Sequence, residues 1–543
     1  VGPKYCEVDL MTTKHNEAYG VHSLVGNSDI DYSETESEET RDSRTKPERK
    51  LTAVDGIAIV VGIIIGSGIF SSPGLALERC GSSGAVLVAW SLSGLVAMQA
   101  AFCYLELGSF MPSAGGDFDY LQRAYGERMA FSFAFFNFFV SKTGSQAIIA
   151  TIFGRYFEAV IMGDTNSLVT DDGSSDAKES NTSKIAAVCL IVFITLLNCT
   201  GIKESAVLSM VMTTTKVLLI ILVFVFALVY VAHDSESSKT ASQNLSPSTS
   251  FNGSNSFFKF GSSLVACLWS FDGFADGNFL LEELLHPIRD LPRIILAGMT
   301  TVTLCYLLIN IGYLSVLDKQ TIMDSKAIAV QFGDTVSDTL FNKGKNVLAL
   351  LLALGVSMST AGAINGSIMT GGRGFFAVAR GGKAPRIMAR LNSRGAPWAA
   401  LLAQGGWSLL LLLLPGSNFA SLLDYFGPAS WMYYAFSASA LIKLRYSEPD
   451  TLRPFRVPLY PFPPLMVICI ASFVMISSLI TQPLYTSLAL CFIVLAFPVH
   501  IIMERNGWVQ EDGRGRSPSA TSSTESGENA LHEKLRHDVE GTF

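Results

Sequence analysis

The sequence predicts an all-α membrane protein with twelve transmembrane helices. Composition supports this fold class, because 49% of the residues are hydrophobic, 16% are charged and the mean hydropathy is +0.38. Length supports it too, because several apolar stretches run about 18 residues or more, which suffices to cross about 30 Å of hydrocarbon. In addition, glycines interrupt two of these stretches, whereas an ordinary transmembrane helix is apolar along its whole length.

Polar segments flank the apolar region at both ends. Residues 1–50 end in the mixed-charge run SETESEETRDSRTKPERK, and residues 506–543 are rich in serine, glycine and charged side chains. Such compositions cannot bury a hydrophobic core, so both segments are predicted to be disordered tails. The membrane domain is expected to occupy residues 51–505.

Twelve candidate spans follow in order along this domain, separated by polar or turn-forming residues. An even number of spans places both ends of the chain on the same side of the membrane. The predicted spans cover residues 52–78, 85–111, 128–161, 185–202, 206–232, 258–285, 293–317, 346–372, 397–415, 419–443, 464–481 and 484–503.

Basic residues indicate which side that is, because cytoplasmic loops carry an excess of lysine and arginine. The side that holds both ends also receives the basic loops after spans 8 and 10, whereas the loop at 162–184 on the other side is acidic. Both tails are therefore predicted to be cytoplasmic. The counted bases are Arg44, Lys46, Arg49, Lys50, Arg373, Arg380, Lys383, Arg386, Arg390, Arg394, Lys443, Arg445, Arg453 and Arg456.

Three Asn-x-Ser/Thr sequons fall in loops on the predicted outer face. Asn181, Asn244 and Asn252 are therefore the candidate glycosylation sites. We expect an integral, multi-pass glycoprotein of the plasma membrane, surrounded by lipid.

The residues that usually carry metal or acid–base chemistry form no pattern here. The nine cysteines include no CxxC pair, and the seven histidines are scattered along the chain. No metal site, cofactor, nucleic-acid partner or enzymatic activity is therefore expected.

Span 1 contains an interruption in the run VVGIIIGSGIFSSPG, where Gly66, Ser67 and Gly68 stand in the middle of apolar residues. Glycine weakens a helix, and serine competes for backbone hydrogen bonds. In lipid, irregular backbone is tolerated only where it is buried in protein or lines a cavity. The alternative is that these glycines only let two helices pack closely.

Span 6 contains a second interruption, WSFDGFADGN, which carries Gly273 and the two carboxylates Asp272 and Asp276. Spans 1 and 6 hold corresponding places in two five-span halves, and paired discontinuous helices of this kind are typical of inverted-repeat transporters. The helix start after Gly68 offers free N–H groups to a carboxylate, and carbonyls freed before a break accept from an ammonium. Together they suit a zwitterionic amino acid.

Lys216 places a charge inside span 5, in the run TTTKVLLIILVFVF. An ionisable residue within a membrane is costly and is usually functional. The alternative is a lysine near the cytoplasmic end of the span whose ammonium reaches the lipid headgroups.

The motifs around both breaks resemble those of the L-type amino acid transporter (LAT) family, within the amino acid–polyamine–organocation (APC) superfamily. The resemblance covers about residues 51–505. The motifs are IGSGIF with SSPGLAL, CYLELGSFMPSAGGDFDYL, SFDGFADGNFLLEELLHPIRDLPRIILAG, NGSIMTGGRGFFAVARGGKAPRIMARLN and RPFRVPL. This resemblance implies a LeuT-type 5+5 inverted repeat with broken helices 1 and 6. It also implies sodium-independent transport of L-amino acids, often by exchange.

The resemblance also implies roles for individual residues. The substrate carboxylate is expected on the backbone of Ser67, Gly68 and Ile69. The ammonium is expected on carbonyls near Ile63, Ile64, Trp269 and Phe271. Trp269 stands at the position of an aromatic gate, and Lys216 stands where sodium-coupled relatives hold an ion.

The side chain of the substrate is expected to contact Trp269, Phe271, Ser145 and Ser430, which favours large neutral amino acids. Asp272 and Asp276 keep open a cationic amino acid or polyamine as the substrate. A neutral substrate is favoured because the N–H groups of the following half-helix can neutralise a carboxylate beside the break. A nutrient sensor with a transporter fold is a further alternative.

The resemblance also bears on assembly, because mammalian LAT chains bind a glycoprotein heavy chain through a cysteine between spans 3 and 4. The corresponding loop, GDTNSLVTDDGSSDAKESNTSK, has no cysteine. No disulfide-linked heavy chain is therefore expected.

Overall fold

A computed structural model gives the fold of the membrane domain. It describes residues 51–111, 115–163, 180–233, 235–253, 256–276, 284–325, 327–341, 347–413 and 419–505. The two predicted tails, 1–50 and 506–543, lie outside the described residues.

Within those ranges the secondary structure is helical, apart from an isolated bridge between Leu51 and Leu284. A π-helix (Asn137–Lys142), a 3₁₀-helix (Arg386–Ala389) and a 3₁₀ turn at residues 274–276 accompany the α-helices. The α-helices are α1 (Ala53–Ile64), α2 (Gly68–Cys80), α3 (Ser83–Phe110), α4 (Asp117–Tyr125), α5 (Glu127–Phe136), α6 (Thr143–Met162), α7 (Asn181–Thr200), α8 (Ile202–His233), α9 (Ser235–Leu245), α10 (Phe257–Ser270), α11 (Pro287–Val316), α12 (Lys319–Asp324), α13 (Ile328–Leu340), α14 (Val347–Arg380), α15 (Trp398–Leu413), α16 (Phe419–Ser447), α17 (Phe462–Thr481) and α18 (Pro483–Arg505).

Seven of these helices are long and apolar enough to cross a membrane, and α1 with α2 makes an eighth span if the bent pair is counted as one. The chain is therefore an integral, multi-pass membrane protein. The other predicted spans fall on helices that are shorter, more polar or divided. Span 3 is divided by the π-helix, and span 6 is described as the 14 residues of α10 followed by a turn.

The first span begins and breaks where the sequence indicates. Thr52 and Asp55 form a capping box, in which the Thr52 N–H donates to the Asp55 carboxylate at 2.9 Å and the Asp55 N–H donates to Thr52 Oγ1 at 3.3 Å. The helix then stops at Ile64, and α2 starts at Gly68 with its axis bent by 40°. The predicted break in span 1 is confirmed.

The π-helix in the third span was not predicted. Residues 137–142 follow a wider turn than the α-helices on either side, and Thr143 Oγ1 donates to the Phe138 carbonyl at 2.7 Å. Single π turns inside α-helices are frequent at functional sites. This one ends at Lys142, whose side chain is described below.

An aromatic cluster supports the second break. Phe271 is fully buried, with its ring centroid 6.2 Å from that of Trp90 and 4.9 Å from that of Tyr306. The ring centroids of Trp90 and Tyr306 are 5.5 Å apart. Phe271 therefore belongs to the packed core. The sequence predicted that its side chain contacts the substrate, but the side chain does not line the binding cavity described below.

Short helices in the loops change the interpretation of one sequon. Asn244 lies in α9, where its side chain is buried and donates to the carbonyls of Leu314 and Leu317, each at 2.9 Å. A buried amide that makes both hydrogen bonds cannot carry a glycan in this fold, so the expectation for Asn244 is wrong. Asn181 and Asn252 are exposed and remain candidates.

Three of the bases that predict the orientation are paired inside the protein. Arg445 Nε donates to Glu106 at 2.8 Å, and Arg453 Nε lies 3.4 Å from the same fully buried carboxylate. Lys383 Nζ lies 2.8 Å from Glu127. Because a buried charge needs a partner, these three bases serve as partners for carboxylates within the fold and are not simply surface charges facing the cytoplasm.

Candidate binding site at two helix breaks

A cavity of about 40 Å³ lies where the first and second breaks meet the third and eighth spans. This volume is enough for about three water molecules. Eight of the residues predicted for the site line it: Ile63, Ile64, Ser67, Gly68, Ser145, Trp269, Asp272 and Asp276. The sequence did not predict several others: Ser141, Lys142, Ile149, Gly273, Ala363 and Ser367.

The first break presents the start of a helix to this cavity. The Phe70 N–H returns to the Ser67 carbonyl at 3.0 Å, whereas the N–H groups of Gly68 and Ile69 have no acceptor within their own helix. Ser67 Oγ is buried and has no hydrogen-bond partner among the described residues. A helix start with a positive potential and an unused hydroxyl suits a carboxylate.

The second break touches the first through a glycine. The α10 helix ends at Ser270, and Gly273 follows with φ +107°, a conformation that side chains disfavour. A Cβ atom on Gly273 would also lie 2.6 Å from Ile63 Cγ2. Only glycine permits both the turn and this close approach, which fixes the two breaks against each other.

Tyr306 joins the two breaks and was not predicted from the sequence. Its hydroxyl lies 2.7 Å from the Ile64 carbonyl and 2.7 Å from the Ser270 carbonyl. A hydroxyl carries one proton, so Tyr306 donates to only one of these carbonyls at a time. The other carbonyl is left to accept from a ligand such as an ammonium.

Lys216 reaches the first break from α8. Its side chain is fully buried, and Nζ donates to the Gly62 carbonyl at 2.5 Å. A Cβ atom on Gly362 of α14 would lie 3.2 Å from the same Nζ, so only a small residue fits there. The lysine therefore points into the protein, and the alternative in which it reaches the headgroups is wrong.

The two carboxylates of the second break have different partners. Lys142 Nζ lies 2.5 and 2.6 Å from the two oxygens of Asp276, and Thr370 Oγ1 donates to the same carboxylate at 3.3 Å. Asp272 accepts from the Tyr434 hydroxyl and from the Gly273 N–H at 3.0 Å. The sequence predicted neutralisation by N–H groups of the following half-helix, but a lysine neutralises Asp276.

Trp269 lies in the last turn of α10 and lines the cavity, where the sequence placed an aromatic gate. Ser430, by contrast, is buried behind the lining, with its Oγ 3.5 Å from Ser141 Oγ. Its predicted contact with the ligand is therefore replaced by a contact with Ser141. Lys142 could have been found from the sequence, because it is a basic residue in the middle of span 3.

A helical membrane protein whose cavity lies between a broken first span and the end of α10, with a free helix start near two carbonyls that share one hydroxyl donor, has the architecture of a transporter for a small zwitterion. A sequence model described as amino acid permease matches residues 51–498, and the chain belongs to that family. It is therefore an amino acid transporter and not an enzyme.

Curated relatives support the same family. The b(0,+)-type amino acid transporter 1 of Mus musculus is 30% identical over 474 residues, which cover 87% of this chain and 91% of the relative. The Large neutral amino acids transporter small subunit 2 of Homo sapiens is 30% identical over 461 residues, which cover 84% of this chain and 80% of the relative. The resemblance to the LAT family is confirmed.

Proposed function

We propose that this protein carries L-amino acids, chiefly large neutral ones, across the plasma membrane by sodium-independent exchange. The observation that carries the proposal is a free helix start at Gly68 together with the Ile64 and Ser270 carbonyls, which share the single proton of the Tyr306 hydroxyl. That arrangement complements the carboxylate and ammonium shared by all amino acids. The names of the two relatives, one of them for large neutral amino acids, agree with this substrate class.

The architecture that we propose has twelve transmembrane helices and a 5+5 inverted repeat, with both tails in the cytoplasm. In support, helices of the described ranges fall on each of the twelve predicted spans in order. The two breaks would then occupy the first helix of each set of five, as is typical of inverted-repeat transporters. Residues 51–505 form the transporter domain, and residues 1–50 and 506–543 form its tails.

Independence from sodium follows from Lys216. An ammonium already donates to the Gly62 carbonyl at the break, and no acidic partner lies within ion-pair distance of it in the described part of the chain. This amine therefore occupies the point at which a bound ion would otherwise be coordinated.

The side chain of the substrate would enter between Trp269, Ile149 and Ser145. Each buried methylene contributes about 0.8 kcal/mol, which favours leucine, methionine or phenylalanine. Since the cavity of about 40 Å³ is smaller than these side chains, the gate at Trp269 must open to admit them. A cationic amino acid is the second candidate, because two carboxylates, Asp272 and Asp276, line the cavity.

Flux through reconstituted protein tests this proposal and separates a carrier from a sensor. Proteoliposomes should take up labelled leucine equally in sodium and choline buffers, and faster when leucine is present inside. Unlabelled leucine should compete better than arginine or putrescine. Uptake that collapsed in choline would contradict the role of Lys216, and substrate binding without any uptake would indicate a sensor.

We also propose that the protein works without a disulfide-linked heavy chain, although one relative is named a small subunit. The loop at 163–184 has no cysteine. The eight described cysteines all lie within helices of the membrane domain. Protein from its native membrane should migrate at the same position in reducing and non-reducing gels. A larger band that reduction converts to the monomer would refute this.

A further inference from the structure

An ion pair in the wall of the cavity has no part in the site proposed for the carboxylate and ammonium that all amino acids share. Lys142 ends the π-helix of the third span, and its side chain is 14% exposed. Its partner Asp276 lies in the second break and is 3% exposed. Both residues line the cavity, so their charges act on whatever side chain enters it.

The Asp276 carboxylate accepts hydrogen bonds from two different helical segments. Lys142 reaches both oxygens of Asp276, at 2.5 and 2.6 Å, and Thr370 of α14 donates to one of them at 3.3 Å. The pair thus joins the third span, the second break and the eighth span. Because the two charges are opposite and close together, their combined field on a substrate side chain is small. Either charge alone would interact strongly with a charged side chain in so small a cavity.

Asp272 has a different place in the same cavity. It follows α10 by two residues, next to the Ser270 carbonyl, and its Oδ1 accepts from the Gly273 N–H and from Tyr434. Under the proposed function the Ser270 carbonyl, two residues before Asp272, is assigned to the α-ammonium that every amino acid carries. We therefore assign the charge of Asp272 to the common part of the substrate and that of Asp276 to the side chain.

We infer that the Lys142–Asp276 pair is the charge filter of the transporter. While paired, the two residues admit neutral side chains and reject both cationic and anionic ones, because a charged side chain would have to break the pair to find a partner. This inference rests on the proposed function, since it assigns the side-chain selectivity of the same site.

Removing one partner at a time tests the filter. In Lys142→Met the free Asp276 carboxylate should attract cations, so arginine should inhibit labelled leucine uptake at least about tenfold better than in wild type. In Asp276→Asn the free ammonium should do the same for glutamate. In the double variant Lys142→Met/Asp276→Asn neither arginine nor glutamate should gain as an inhibitor relative to leucine.

Two controls make the result specific. Thr370→Val removes a hydrogen bond to Asp276 without removing a charge, so the order of inhibitors should stay as in wild type. If the pair were only a structural link, both single variants would lose uptake of all amino acids in proportion, with no change in selectivity, and the inference would be wrong. A wild-type protein that moved no amino acid would refute the proposed function instead.

Charge can also be added after folding, in case a single unpaired charge prevents folding. In the variant Lys142→Cys/Asp276→Asn, the thiolate displaces methanesulfinate from a methanethiosulfonate reagent and forms a mixed disulfide. An aminoethyl group should then admit glutamate, and a sulfonatoethyl group should admit arginine. The same reagents applied to Lys142→Met/Asp276→Asn control for the other cysteines. Identical selectivity after both reagents would overturn the inference.

Discussion

Replacing Lys216 with methionine should lower amino acid uptake at least about tenfold while the protein still folds. Methionine fills the buried space but leaves the Gly62 carbonyl without the donor that now lies 2.5 Å from it. A hydrogen bond from a charged group contributes about 1.5–3 kcal/mol, and this one fixes the end of α1 at the break. Initial uptake of labelled leucine into proteoliposomes measures the loss, with gel filtration as the check on folding.

Thr213→Val provides the matched control for Lys216. Thr213 lies one turn earlier on α8, and its Oγ1 donates to the Ala58 carbonyl of α1 at 2.7 Å. This variant loses a hydrogen bond between the same two helices without losing a charge, so uptake should change little. Equal losses in the two variants would mean that Lys216 acts only by holding α8 to α1. A fully active Lys216→Met would remove the argument for sodium independence.

The sequence predicted those residues of the site that are unusual within a transmembrane helix. Gly66, Ser67 and Gly68 interrupt an apolar run, and Lys216 puts a charge where hydrocarbon is expected. Each is anomalous without knowledge of any other part of the chain, because lipid offers no substitute for a missing backbone hydrogen bond or for hydration of a charge. The structure places all of them at the first break.

Other parts of the site depend on contacts between distant segments and could not be predicted in the same way. Tyr306 is an ordinary tyrosine until the fold brings its hydroxyl to the carbonyls of Ile64 and Ser270. Phe271 was expected in the cavity because it adjoins the second break. Its ring instead packs against Trp90 and Tyr306 of neighbouring helices, and these contacts decide which way the side chain points.

The charges near the second break show the same limit. Asp276 was recognised as a carboxylate that needs a partner, and a nearby helix start was the only partner that local sequence could suggest. Lys142 is 134 positions away, and it reaches the carboxylate from the wide turn of a π-helix. Hydrophobic periodicity does not distinguish a π turn from an α turn, so neither the bulge nor the ion pair was predictable.

Replacing Gly68 with alanine should lower uptake at least about tenfold. A Cβ atom at this position would lie 2.7 Å from Ser270 Oγ and 2.9 Å from Ser270 Cα. The second of these atoms belongs to backbone, so the two breaks would have to move apart, at a cost of about 1–3 kcal/mol. That movement would displace the start of α2 from the carbonyls with which we propose that it binds a zwitterion. Leucine binding to purified protein should weaken together with uptake.

Gly144→Ala separates this effect from a general sensitivity of the spanning helices to added methyl groups. Gly144 lies in α6, between the cavity residues Lys142 and Ser145, yet nothing lies within 4 Å of the place that its Cβ would take. Alanine also favours a helix over glycine by about 1 kcal/mol, so this variant should fold and transport as the wild type does. If Gly144→Ala lost as much uptake as Gly68→Ala, close contact between the breaks would not be the cause. If Gly68→Ala bound and transported leucine normally, the free helix start would not be the carboxylate site.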